Sequence, residues 1–194
     1  MDISVVARAE AYPVFILPGA LNACAEEVGR ALAELLLHGP PAGAMPGPVF
    51  VIDGGGLVDL RETIADSMHG RMFAPGHPWR TREAGSARPG RWRIVGEGLA
   101  ADAGRATPLF LEIDGAGLAA PPDAGPLGML VRCRDPIELL TLASGCAGAS
   151  GCYVHAGLDD APLAAALARL LERPSLRLTI AAEPIAAAWP GKRS

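Results

Sequence analysis

Residues 12–37 read YPVFILPGALNACAEEVGRALAELLL, and this stretch decides the fold. Its first part, Val14 to Leu17, is a short apolar run without a polar alternate. A strand reads this way when both of its faces are buried, because neither side-chain direction then points at water. A helix is expected next, from about Leu21 to Leu37. Leu21, Cys24, Val28, Leu32 and Leu35 recur at spacings of three and four, while Glu26, Glu27, Arg30 and Glu34 take the other sides. A doubly buried strand followed by an amphipathic helix is the repeating half-unit of a parallel α/β sheet.

The same alternation extends in both kinds of segment along the chain. Further strands are expected at Val49 to Asp53, Arg93 to Val95, Leu109 to Ile113, Met129 to Cys133, Cys152 to His155 and Leu176 to Ala181. A second helix is expected from Leu57 to His69, with Leu57, Leu60, Ile64 and Met68 on one stripe. A third runs from Asp135 to Ala143, where Asp135 can cap and Pro136 is pre-set for the first helical position. A fourth covers Asp160 to Glu172, with Arg169 and Arg173 near its negative end and Pro174 as the stop. His38 to Pro48 and Met72 to Gly90 are rich in Gly, Pro or polar residues and read as loops. The expected architecture is one α/β domain over residues 1–194, a mostly parallel open sheet with helices on both faces.

With 194 residues, half of them hydrophobic, there is ample material for one substantial core. A formal charge of −4 and scattered basic residues argue against a nucleic-acid surface. The arginines around Arg80, Arg82, Arg88, Arg91 and Arg93 read as solvated loop charges. No apolar run reaches the roughly 18 residues that suggest a membrane span. Met1-Asp2-Ile3-Ser4 does not resemble an export signal, so a cytoplasmic protein is expected. Cys24, Cys133, Cys146 and Cys152 lack zinc spacing, and reduced, mostly buried thiols are the expectation.

Local motifs yield little chemistry. Gly96-Glu97-Gly98 followed by Ala101 mimics a dinucleotide fingerprint, but no helix follows before Thr107. Gly54-Gly55-Gly56 lies between a strand and a helix, where phosphate can bind, yet no P-loop lysine accompanies it, and a tight turn is the reading. His38, His69, His77 and His155 show no metal spacing, and no metal site is expected. Cys24 is the one weak candidate nucleophile. It is flanked by Glu26 and Glu27, whose charge opposes a thiolate, and it sits on the core stripe of its helix.

A longer signal comes from order and spacing. Tyr12-Pro13-Val14-Phe15-Ile16-Leu17-Pro18-Gly19-Ala20-Leu21 resembles the segment after the catalytic glutamate in aldehyde dehydrogenases, above all the ketoglutarate semialdehyde dehydrogenase branch. Pro46 to Asp53 resembles the strand after that branch's nucleophile, and Arg105 to Phe110 the strand leading to its E-E-x-F-G-P motif. Gly125 to Cys133 resembles the end of that motif and the strand beyond, and Tyr153-Val154-His155-Ala156 continues in order. The similarity covers about Ala7 to Trp189.

The resemblance implies three chemical positions, each substituted. The nucleophilic cysteine falls on Gly43, which has no side chain with which to attack an aldehyde. The general base falls on Ala7, with Glu10 the nearest carboxylate. The glutamate that holds the nicotinamide ribose falls on Pro122, and the motif's Phe on Ala124, while Gly125 and Pro126 keep their identity. The family's Rossmann-type cofactor domain and its C-terminal oligomerisation segment have no counterpart in these residues. The resemblance therefore implies a degenerate, truncated catalytic-domain unit: a pseudoenzyme that binds no cofactor alone and acts as a partner subunit or remnant. A homodimer, or a complex with another protein such as a full-length aldehyde dehydrogenase, would cover the surface left by those absent parts. The alternative is an NAD(P)-dependent aldehyde oxidoreductase that obtains its cofactor domain from a partner chain or uses Cys24 as a relocated nucleophile. A new function on the old fold, with the Gly/Pro loop as a ligand site, is a third reading.

Overall fold

The computed structural model describes residues 12–39, 46–77, 92–118, 127–146, 151–171 and 177–181. Seven strands form one sheet: β1 (Tyr12–Ile16), β2 (Pro46–Ile52), β3 (Arg93–Glu97), β4 (Leu109–Asp114), β5 (Leu127–Cys133), β6 (Gly151–His155) and β7 (Arg177–Ala181). Their order across the sheet is β3-β4-β5-β2-β1-β6-β7. Every pairing is parallel except that of β3 with β4. Among the described residues, four α-helices accompany them: α1 (Pro18–His38), α2 (Leu57–Met68), α3 (Pro136–Ser144) and α4 (Ala161–Leu171). Each expected strand and helix is present among these.

The alternation of side chains in the central strands splits the core into two layers. Val14 and Ile16 of β1, Val49 and Val51 of β2, Leu130 of β5 and Tyr153 of β6 pack with α1 and α2. Phe15 and Leu17, Phe50 and Ile52, Val131 and Val154 point the opposite way, onto α3 and α4. Phe15 and Phe50 stack there with ring centroids 5.0 Å apart. This two-sided burial is why the strands carry unbroken apolar runs.

Boundaries moved where local chemistry outweighed the pattern. The first helix begins at Pro18, three residues ahead of its apolar stripe, because proline is well placed in a first helical turn. Strand β2 begins at Pro46, inside the segment expected to be loop, and its register with β1 shifts between Tyr12 and Val14. Prolines at 46 and 48 cannot donate to the ladder, so this strand start is irregular. Asp135 caps α3 as expected, accepting from the Glu138 N–H at 2.8 Å.

Strand β3 extends through Glu97, so Gly96-Glu97-Gly98 ends an antiparallel edge strand rather than opening a helix. A Cβ at Gly96 would lie 2.9 Å from Met68 Sδ, so this glycine lets β3 approach α2. Strand β4 is buried, and its Glu112 pairs with Arg61 of α2 through two hydrogen bonds of 2.6 and 2.7 Å. That pair ties α2 to the sheet.

Candidate active-site edge

The connections place a topological switch point between β1 and β6. Helix α1 leaves the carboxyl end of β1 toward one face of the sheet, and α4 leaves that of β6 toward the other. In open α/β sheets the crevice outside such a point is where ligands bind. The residues gathered here are Cys24, His155 and Asp160, with the turn glycines Gly19 and Gly157 beside them.

Asp160 ends a 3-10 turn, Leu158–Asp160, between β6 and α4. Its carboxylate reaches across to the start of α1. One oxygen accepts the Gly19 N–H at 2.8 Å; the other accepts those of Ala20 at 2.9 Å and Gly157 at 2.8 Å. The first amides of a helix are unpaired within the helix and favour negative charge. Here the protein's own carboxylate takes them, buried from solvent. Gly19 permits the approach, since a Cβ on it would sit 2.8 Å from an Asp160 oxygen. The two turns are thus locked together across the switch point.

Cys24 lies one turn further along α1, where the backbone leaves helical geometry (φ −146°, ψ 33°) and the helix kinks. Its Sγ is 2.9 Å from the Ala20 carbonyl and 3.2 Å from His155 Nε2. Side chains that bond the carbonyl four residues back bend helices in this way. The imidazole, at the end of β6, is wholly buried, whereas Cys24 is half-buried. Burial, and then the charge of Glu27, hold the thiol above its ordinary pKa. The glutamate effect matches the sequence expectation. Cys24 packs against the core cluster of its helix stripe, as expected, and its sulfur also meets a histidine that the sequence did not pair with it.

The triple-glycine turn is a packing device. The Gly56 N–H donates to Asn22 Oδ1 at 2.9 Å, and a Cβ on Gly56 would stand 2.3 Å from the Leu21 carbonyl oxygen. Close contact with α1, rather than an anion, sets the need for glycine there. Farther along the same edge, Arg132 bonds Asp114 at 2.8 Å through Nε and reaches Asp53 at 3.4 Å. These are surface pairs and contribute little.

Three exposed apolar side chains also follow strands at this edge. Val58 follows β2, Ile137 follows β5 and Leu158 follows β6, with 54%, 76% and 98% of their surface open. Because these strands are parallel, all three lie at the carboxyl edge of the sheet.

The positions matched to the family's nucleophile, base and ribose-binding glutamate (Gly43, Ala7 and Pro122) lie outside the described residues, as do Arg80, Arg82, Arg88 and Arg91. Among the described residues no group of three or more His, Cys, Asp or Glu side chains is placed to hold a metal ion. No described helix is long and apolar enough to cross a membrane. The thiol–imidazole contact and the Asp160 lock were not legible as sites in sequence. The second had one signal, an aspartate three residues after Gly157 at the start of a helix, the spacing at which a side chain accepts the N-cap residue's N–H.

With this geometry in view, the fold is that of an aldehyde dehydrogenase catalytic domain. A γ-glutamyl-γ-aminobutyraldehyde dehydrogenase from Burkholderia cenocepacia superposes with a TM-score of 0.58 at 17% identity, covering 89% of this chain and 38% of that one. An NAD-dependent benzaldehyde dehydrogenase from Corynebacterium glutamicum gives 0.56 at 13% identity, covering 87% and 39%. A glyceraldehyde-3-phosphate dehydrogenase from Methanocaldococcus jannaschii, solved with NADP, gives 0.53 at 11%, covering 89% and 39%. The chain thus spans about two fifths of the length of these structures. No protein-family model matches the chain. No curated protein sequence matches it either.

Proposed function

We propose that this chain is a non-catalytic aldehyde dehydrogenase-type domain of the ketoglutarate semialdehyde dehydrogenase branch, one unit over residues 1–194, working as a partner subunit. The observation that carries this reading is the Asp160 carboxylate seated on the amides of Gly19, Ala20 and Gly157. Backbone amides at a switch point could stabilise an oxyanion or a cofactor phosphate, but here they are already spent on an internal ligand. The substitutions at Gly43, Ala7 and Pro122 point the same way, as residues without the family's thiol, base or ribose acceptor. Val58, Ile137 and Leu158, exposed apolar side chains that each follow the carboxyl end of a strand, support a partner at that edge. Under this reading the chain binds NAD(P) only where a partner supplies the cofactor domain, and it works in the cytoplasm as a homodimer or beside a full-length relative.

A second reading is favoured by one contact. Cys24 lies within hydrogen-bonding distance of His155, so an aldehyde oxidoreductase with a relocated nucleophile has a thiol and a base in place. Aldehyde-dependent reduction of NAD and NADP by the purified chain, with 2-oxoglutarate semialdehyde among the substrates, separates the two. The expected result is no turnover. Turnover that vanishes in Cys24→Ser establishes the second reading. Light scattering tests the partner role: the expected mass is twice that of the chain, reduced toward one chain by Leu158→Asp. A monomer that also fails to bind a full-length relative sinks it.

A further inference from the structure

The four thiols of this chain divide into two chemical classes. Cys133, Cys146 and Cys152 are buried in the α3/α4 layer with at most 4% of their surface open, and burial pushes each up to about 12. A thiol in that state offers almost no thiolate and no path for a reagent. Cys24 is on the opposite layer, only half-buried, at a kink in its helix, and its sulfur lies 3.2 Å from an imidazole nitrogen.

From this geometry we infer that Cys24 and His155 form a site of covalent modification by soft carbon electrophiles, the class of α,β-unsaturated carbonyl compounds. The thiol proton, which rests against the Ala20 carbonyl at 2.9 Å, turns to His155 Nε2 at 3.2 Å, which accepts it in the tautomer protonated at Nδ1. The sulfur then bonds to the β-carbon of the electrophile. The C=C π pair moves to form an enolate, and the proton returns from Nε2 to the α-carbon. One S–C and one C–H bond form, one S–H and one C–C π bond are lost, and nothing is oxidised. The resting thiol is protonated because burial and Glu27 disfavour its charge. A neighbouring proton acceptor is therefore what the step needs, and His155 supplies it. His155 is buried, so its role is to take the proton at one fixed place while Cys24 meets the reagent. The inference stands independently of the aldehyde dehydrogenase reading, since it requires neither a cofactor nor turnover.

The test uses N-ethylmaleimide on the folded full chain, followed by peptide mass mapping. One equivalent is expected, on Cys24, with Cys133, Cys146 and Cys152 unlabelled until urea unfolds the chain. Cys24 should also react faster in the folded chain than in the unfolded one, because only the fold brings His155 to it. Glu27→Gln, a change at an exposed position, should raise the folded rate further. His155→Gln should slow it by roughly tenfold or more if it folds. The wild-type comparison of folded and unfolded rates decides the matter if that variant does not fold. Labelling spread over all four thiols, or a Cys24 that reacts more slowly in the folded chain, overturns the inference.

Discussion

The two helical layers are held to the same sheet by different physics. On one side, α3 and α4 lie on Phe15, Phe50, Val131 and Val154 through apolar contact, with three inert thiols filling the remaining space. On the other, α1 and α2 add directional ties to their apolar stripe: Asp160 to the start of α1, Asn22 to Gly56, Arg61 to Glu112 and Arg71 to Glu34. Apolar packing is non-directional and tolerates small slides, whereas paired polar groups fix one placement. The layer next to the switch point is the one whose placement is fixed.

This contrast predicts that the apolar layer loses most when volume is removed. Phe50→Ala deletes one ring of the Phe15 stack from a fully buried site and should cost about 4 kcal/mol, read from urea unfolding. A loss under about 1 kcal/mol would mean that the layer collapses freely and that its packing specifies little.

The polar layer is better tested by breaking a pair than by emptying a space. Glu112 is buried and Arg61 nearly so. Arg61→Ala should therefore cost about 3 kcal/mol, because it leaves a buried carboxylate unpaired. The double change Arg61→Met with Glu112→Leu should recover most of that loss, since the charge it strands is gone. If the double variant is no better than the single one, the pair itself stabilises the fold and α2 relies on it for more than placement.

How much of this was legible in sequence follows from the same division. The apolar layers were, because doubly buried strands and three-and-four spacing are local patterns: Val14 to Leu17 and the Leu57-Leu60-Ile64-Met68 stripe each announce their element alone. The ties were not, because each joins residues far apart in the chain. Asp160 and Gly19 meet across 141 positions, and Cys24 and His155 across 131. Nothing in the neighbourhood of Cys24 signals the kink in its helix or the histidine at its sulfur. The Gly54-Gly55-Gly56 turn was readable as a turn, but its reason, the close approach of Leu21, needed the packed helix.

The smallest effect expected is at the exposed end of the polar layer, where Arg71 and His38 both meet Glu34. The hydrogen bond from Arg71 holds the Glu34 carboxyl below its ordinary value of 4.5. A depressed carboxylate binds its proton less readily in the folded chain than in the unfolded one. Its contribution is therefore present above the unfolded pKa and fades as pH falls from about 4.5 through the lower folded value. Roughly two fifths of each side chain is open to water, so solvent screening keeps the effect small. Comparing wild type with Glu34→Gln by thermal melting should show a gap at pH 6 that narrows below pH 4.5. A gap that stays constant across that range would mean Glu34 acts through packing of its stem. The ties of this layer would then matter only where they are buried, at Glu112 and Asp160.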